Sequence, residues 1–240
     1  MRGLLRENAA DAANAFMAWW NLAGVDCAVG EEPVDWLRPA QTPARPAISV
    51  GDDGPVPAHA PAKPASFATF LTWLSEDAVQ PEQRWPGAMI LPEGPAEAPL
   101  MVITDMPDPA DVAAGTLLSD RAGQLFDGML RAIGLKRADI HLASLFLSRP
   151  PGAMVEASDL AAAAARMRTH VMLAAPRRLL LLGDRTIRSL LPDAGSRIFN
   201  HDSGTLPAFA TFHPRLLLGQ PAAKAECWRV LQGLIEEMSE

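Results

Sequence analysis

The sequence predicts an α/β fold of three layers, α/β/α, around a central, mostly parallel sheet of about four strands. Three observations predict it. From Leu100 onward, short apolar runs alternate four times with longer amphipathic or alanine-rich segments, the grammar of a parallel sheet between helices. The run Leu179–Leu182 is all leucine, so it has no polar face and must be covered on both sides. The chain of 240 residues is 49% hydrophobic and 20% charged, which suits a globular core and excludes a disordered chain.

The elements follow in order. Residues 7–23 are alanine-rich, carry Phe16, Trp19, Trp20 and Ala23 on neighbouring faces, and meet Gly24; they predict a helix. From Pro39 to Pro64 seven prolines surround Gly51-Asp52-Asp53-Gly54, an extended linker. Phe67, Phe70, Leu71 and Leu74 recur at helical spacing, predicting a helix over Phe67–Glu76. Residues 85–99 are again rich in proline and glycine. Residues 1–99 therefore read as a helical and proline-rich extension, and residues 100–240 as the α/β domain. Leu100–Thr104 is the first strand. Ser119 and Asp120 cap a helix bearing Leu125, Phe126, Met129, Leu130 and Ile133, closed by Gly134. Ile140–Phe146 is the second strand, and Glu156 to Ala175 a long helix stopped before Pro176. Leu179–Leu182 is the third strand, and Gly183-Asp184 turns into a short helix through Leu191. Pro207–Phe212 is the fourth strand, and Pro221 to Met238 the last helix.

Composition narrows the function. No apolar stretch approaches the ~20 residues of a membrane span, and the N-terminus interleaves Arg2, Arg6, Glu7 and Asp11 without an apolar run, unlike a signal peptide. The expectation is a cytoplasmic protein, monomeric and without a membrane partner. Cys27 and Cys227 are the only cysteines, too few for a four-thiolate zinc or iron–sulfur site. One disulfide is arithmetically available, though a cytoplasmic setting favours two buried thiols. The five histidines, at 59, 141, 170, 201 and 213, lack metal-ligand spacing, so neither metal nor cofactor is expected. Net charge is −7, but unevenly spread. Residues 1–120 hold 6 Lys/Arg against 17 Asp/Glu, and residues 121–240 hold 15 against 11. A basic face is therefore compatible with an acidic total.

Dinucleotide-binding, P-loop, nucleophile-elbow and zincin signatures are absent from the sequence. In a parallel sheet the ligand sits beyond the carboxyl ends of the strands, which directs attention to loops 105–119, 147–155 and 213–220. They carry Thr104-Asp105-Met106-Pro107-Asp108-Pro109, Ser148-Arg149-Pro150-Pro151-Gly152 and Phe212-His213-Pro214-Arg215-Leu216-Leu217-Leu218. Asp105 offers a carboxylate to stabilise a cation or orient water. His213 offers a hydrogen bond to a developing anion. Arg149, Arg215 and Arg121 are available to phosphates. Plainer roles exist for each: a turn cap for Asp105, a backbone-satisfied turn for His213, core packing for the leucines.

These motifs, together with Arg121-Ala122-Gly123-Gln124-Leu125-Phe126-Asp127-Gly128-Met129-Leu130 between the first two loops and Leu182-Gly183, resemble the uracil-DNA glycosylase superfamily, most closely its family-four type. Order and spacing agree over roughly residues 100–235. The resemblance implies a hydrolase of DNA repair that flips a base and breaks its N-glycosidic bond. Asp105 falls where the family has its catalytic Glu, and His213 opens the HPxxLL-like motif. The base-stacking aromatic falls on Leu118, the residue reading the pyrimidine edge on Ser144, and Pro107 lies in the first motif; these are the implied substrate contacts. Flipping a base normally needs a wedge, and Leu216 or Leu217 is the available one, beside Arg215 and Arg149 on the DNA side. The four cluster cysteines of that type are replaced, with Ser148 at the third and the alanine run near Ala163 at the fourth. Two functions remain in view: a glycosylase acting on uracil or another damaged base in single-stranded or mispaired DNA, and a non-catalytic DNA-binding or interaction module on the same fold.

Overall fold

The computed structural model describes residues 64–76, 80–193, 195–201 and 204–239. The helix expected over residues 7–23, Cys27 and nearly all of the proline-rich linker lie outside the described residues. The described elements are α1 (Phe67–Glu76), β1 (Met101–Thr104), α2 (Pro109–Ala114), α3 (Asp120–Ala132), β2 (His141–Ser144), α4 (Ala157–Ala174), β3 (Leu179–Leu182), α5 (Asp184–Leu190), β4 (Ile198–His201), β5 (Gly204–Thr211), α6 (Pro214–Gly219) and α7 (Pro221–Ser239). None of the described helices is long and apolar enough to cross a membrane.

The sheet has the order β2-β1-β3-β5-β4. β1 pairs in parallel with β2 and β3, and β3 in parallel with β5. These are the four strands that the apolar runs predict. The fifth, β4, pairs antiparallel with β5, His201 facing Gly204 across the tip. Its sequence, Ile-Phe-Asn-His, has one buried residue, Phe199. So short and polar a segment lacks a strand signature of its own and is defined by its partner.

Side chains along each strand alternate between the two layers, as the pleat requires. Leu100, Val102, Leu142, Leu180, Leu182 and Phe209 pack with Phe126 and Leu130 of α3 and Cys227, Leu231 and Leu234 of α7. Met101, Ile103, Ala143, Leu179, Leu181 and Ala208 pack on the other side with Ala163, Met167 and Val171 of α4. Cys227 is a free, buried thiol. Gly123 in α3 is required by closeness, since a Cβ there would lie 1.8 Å from the Leu118 carbonyl oxygen.

Residues 64–99 lie against this core. Glu93 exchanges backbone hydrogen bonds of 2.9 and 2.8 Å with Leu142, covering the outer edge of β2, which would otherwise be free to pair with another chain. Phe70 and Leu74 of α1 are buried. Glu82, with a fully buried side chain, meets the nearly buried Arg166 of α4. Arg166 donates to both Glu82 oxygens at 2.5 and 2.8 Å, to Gln80 Oε1 at 2.6 Å and to the Leu145 carbonyl at 2.8 Å, while the Leu147 N–H donates to Glu82 Oε1 at 2.9 Å. Burial alone would raise the Glu82 pKa; the Arg166 bond and charge and the Leu147 N–H outweigh it and hold the carboxyl below its ordinary value.

Next to this cluster His141 and His170 share a hydrogen bond, Nε2 to Nε2, of 2.9 Å. His141 Nδ1 lies 3.2 Å from the Gly94 carbonyl oxygen, which only accepts. The His141 proton is therefore on Nδ1, and His170 donates to His141 Nε2. Phe67 and Phe70 of α1 pack their rings on the pair, at centroid distances of 5.4 Å to His141 and 4.8 Å to His170.

Two stability predictions result. Glu82→Gln leaves Arg166 buried without its counter-charge and should cost about 3–5 kcal/mol. Urea unfolding measures it, and Glu82→Leu combined with Arg166→Met should recover much of the loss. Burial holds the His141 and His170 pKa values below the ordinary 6.5. The folded protein then binds fewer protons than the unfolded chain, so stability is complete above pH ~6.5 and declines as pH falls. Melting temperatures between pH 7.5 and 5 should drop, with a shallower slope in His170→Gln.

Candidate active site

Three strands deliver their ends to one place. β1 leads into Asp105, β3 into Gly183-Asp184-Arg185, and β5 into Phe212-His213. The loop after β2 adds Arg149 and Ala153, and α6 adds Arg215 and Leu216. Together with Met106, Asp108 and Leu182 they line a cavity of about 460 Å³. β2 lies on one side of β1 and β3 on the other, so the cavity opens where successive strands leave in opposite directions. Such a switch point is where a parallel sheet leaves a crevice. Gly183 makes the turn from β3 into α5 with φ +90°, and a Cβ there would come within 3.5 Å of the His213 Cβ. Only glycine adopts that backbone without strain.

Asp105 and Arg185 form an ion pair, Oδ2 to Nη1, of 2.8 Å. The other carboxylate oxygen, Oδ1, is buried and has no hydrogen-bond partner. Burial pushes the Asp105 pKa above the usual carboxylate value, against the lowering influence of Arg185 first and then His213 and Arg149. The result is a carboxylate more basic than one in water. His213 Nδ1 accepts the Arg215 backbone N–H at 3.2 Å, so the neutral ring carries its proton on Nε2. Burial lowers its pKa, although the nearby Asp108 carboxylate opposes this. At neutral pH His213 is an uncharged donor.

Asp108 ties two loops to the rim. Its Oδ2 is 2.6 Å from Arg215 Nη2, and its Oδ1 3.3 Å from Arg149 Nη1, which also reaches the Pro107 carbonyl at 3.3 Å. Asp111, buried at the first turn of α2, accepts from the Asp108 and Ser119 N–H groups and the Ser119 hydroxyl. The aspartates of this loop thereby hold it in shape.

Of the residues that the sequence nominates, Asp105, His213, Arg149, Arg215 and Leu216 line the cavity together. Leu216 is 39% exposed. Pro107 is buried beside them and contributes its carbonyl. The others lie elsewhere. Leu118 is 2% exposed, packed in the core with Leu117 and Phe126. Ser144, also 2% exposed, ends β2 opposite Thr104. Neither is a lining residue, and Arg121 projects from the exposed face of α3. Arg185 and Asp108 escaped the sequence reading. The strand-end rule, applied to Leu182 as well as to the other strands, leads straight to Arg185; the brevity of Gly183-Asp184 hid it. Among the described residues no group of three or more His, Cys, Asp or Glu is arranged to hold a metal ion.

A search of curated proteins returns no matching relative. The family-wide model of the Uracil DNA glycosylase superfamily matches residues 91–232. That span exceeds half the chain and takes in every strand of the sheet and all the loops around the cavity, and on this basis the protein belongs to the uracil-DNA glycosylase superfamily.

Proposed function

We propose that the protein is a DNA glycosylase that hydrolyses the N-glycosidic bond of uracil or another damaged base, with Asp105 and His213 as its catalytic pair. The observation that supports this most is their meeting in one cavity: a half-buried carboxylate of raised basicity, and a neutral imidazole whose proton is fixed on Nε2. The two groups match the two charges of the reaction. As the bond from sugar C1′ to the base nitrogen breaks, its electron pair leaves with the base and C1′ becomes cationic. Ionised Asp105 stabilises that cation and accepts a hydrogen bond from the water that adds to C1′, a contribution of about 10²–10⁴-fold. The water proton ultimately neutralises the departed base. His213 donates from Nε2 to the base oxygen as negative charge gathers there.

The surrounding residues suit a flipped nucleotide. The cavity volume falls in the range of small-molecule sites. Phe212 supplies an aromatic surface within it, a role that Leu118, enclosed in the core, does not fill. Leu216 stands at the mouth as the wedge, and Arg149 and Arg215 offer their guanidiniums to phosphate. Extruding a base costs a few kcal/mol, and least where it is unpaired or mismatched. Single-stranded or mispaired DNA is therefore the proposed substrate. The domain responsible, expected to start near residue 100, also draws on earlier residues: Phe70 and Leu74 are buried, Glu82 pairs with Arg166, and Glu93 pairs with Leu142.

Release of free base from oligonucleotides carrying uracil, hypoxanthine or xanthine, single-stranded and mispaired, tests this reading. Asp105→Asn should abolish most of the activity, because an amide carries no charge to balance the cationic sugar. His213→Ala should slow release on the order of 10²-fold, as when one oxyanion donor is lost. If no substrate is cleaved while DNA is bound, the protein is instead a binding module on this fold.

DNA affinity gives a separate measurement. Arg215→Ala should weaken binding alike across sequences and reduce the slope of log K against log salt by about one. An unchanged slope would remove Arg215 from the phosphate path.

A further inference from the structure

We infer that Arg185 is a positioning residue for Asp105: by holding Oδ2 it fixes how the carboxylate stands in the cavity and keeps it ionised. The inference rests on the glycosylase reading and adds to it a residue outside the motifs that carry the family resemblance.

The geometry carries it. Arg185 is the second residue of α5, immediately beyond the tight turn at Gly183. Its backbone carbonyl accepts the Ser189 hydroxyl at 2.6 Å, which ties it further to the helix. The guanidinium reaches Asp105 at 2.8 Å inside the cavity. The two carboxylate oxygens are thus unlike. One is bound by a cation; the other is buried and accepts nothing from the protein. A buried acceptor carries a desolvation cost until it finds a partner. The side chain is 27% exposed while Oδ1 is enclosed, so a water in the cavity approaches Asp105 on the side that Arg185 holds.

The charges around Asp105 make Arg185 the decisive one. Burial disfavours the ionised carboxylate, and Arg185 is the strongest opposing influence. His213, from the β5 loop, is held toward its neutral form. Arg149, from the β2 loop, is shared with Asp108, and Arg215 is also bound to Asp108. Asp108 on the same loop, paired with two arginines, and the exposed Asp184 on α5, paired with Arg188, are the other carboxylates of the cavity lining. Among the described residues, Arg185 is the cation that pairs with Asp105, while Arg149 and Arg215 are shared with Asp108. Without Arg185 the carboxyl would keep its proton to higher pH and lose the function of a base. Lysine would keep the charge, but not the planar fork that fixes which oxygen is held.

The experiment compares the wild-type protein with Arg185→Gln, Arg185→Lys and, as a control, Arg188→Ala, whose arginine pairs with exposed Asp184 instead. Aspartate carboxyl carbons are followed by ¹³C NMR through a pH titration, the Asp105 signal being assigned by its loss in Asp105→Asn. The pH–rate profile for base release is recorded on the same proteins. Arg185→Gln should raise the Asp105 midpoint by about one unit or more and move the acid limb of kcat upward by the same amount. Arg185→Lys should fall between it and wild type in both measurements, and supplies the comparison if the glutamine variant does not fold. Arg188→Ala should change neither. An Asp105 midpoint unmoved by either Arg185 substitution overturns the inference. So does an active variant whose acid limb stays in place while the midpoint shifts, since Arg185 would then be merely structural. Wild-type protein that releases no base from any substrate overturns the glycosylase reading alone; the carboxyl titration still decides whether Arg185 sets the Asp105 charge.

Discussion

The buried pairing of Glu82 with Arg166 is the constraint on which the rest of the domain depends. Two full charges in the interior persist only when every oxygen and N–H around them is used. Arg166 satisfies Glu82, Gln80 and the Leu145 carbonyl, and Glu82 accepts from the Leu147 N–H. Those contacts join three pieces far apart in sequence: the segment before the sheet, helix α4, and the chain leaving β2. Residues 145–147 are thereby pinned, and Arg149 follows two residues later at the cavity rim. The cavity wall is therefore fixed from inside the protein.

A second carboxylate–arginine pair shows what this arrangement withholds. Asp105, like Glu82, is desolvated and paired with arginine, yet the two shift in opposite directions. Glu82 has two oxygens bound by guanidinium and one also by a backbone N–H, so its charge is fully compensated. Asp105 has one bond to one oxygen. The difference in hydrogen bonds decides the sign. The compensated carboxylate is structural; the under-compensated one retains basicity, which suits the role proposed for it beside a reacting water or sugar.

The cations of the rim are organised in the same way. Asp108 holds Arg149 and Arg215 before any ligand is bound. On the proposed reading, a phosphate arriving there meets arginines already oriented but partly neutralised, so the side-chain entropy of ordering them has been met within the fold. An acidic total charge is thereby compatible with the proposed phosphate contacts: local pairing, not net charge, sets the field at the rim.

Much of the architecture was legible in the sequence because its causes are local. Phe67–Glu76 and Leu179–Leu182 declare themselves by spacing and by apolar content, and Asp105, Arg149, His213 and Arg215 stand where strands end. β4 was illegible, since Ile198–His201 becomes a strand only beside β5. Leu118 and Ser144 are named by motif position, yet the fold turns Leu118 into the core against Phe126 and buries Ser144 beside Thr104. Arg185, Asp108 and the Glu82–Arg166 cluster could not be found from periodicity, because an ion pair carries no sequence pattern when its members are as far apart as Glu82 and Arg166. The sequence by itself determined which segments form strands and helices, through hydrophobic period, capping and chain-breaking residues. Only the tertiary structure decided which charges meet and which remain partly unsatisfied, because burial and pairing arise when distant segments exclude water from one another.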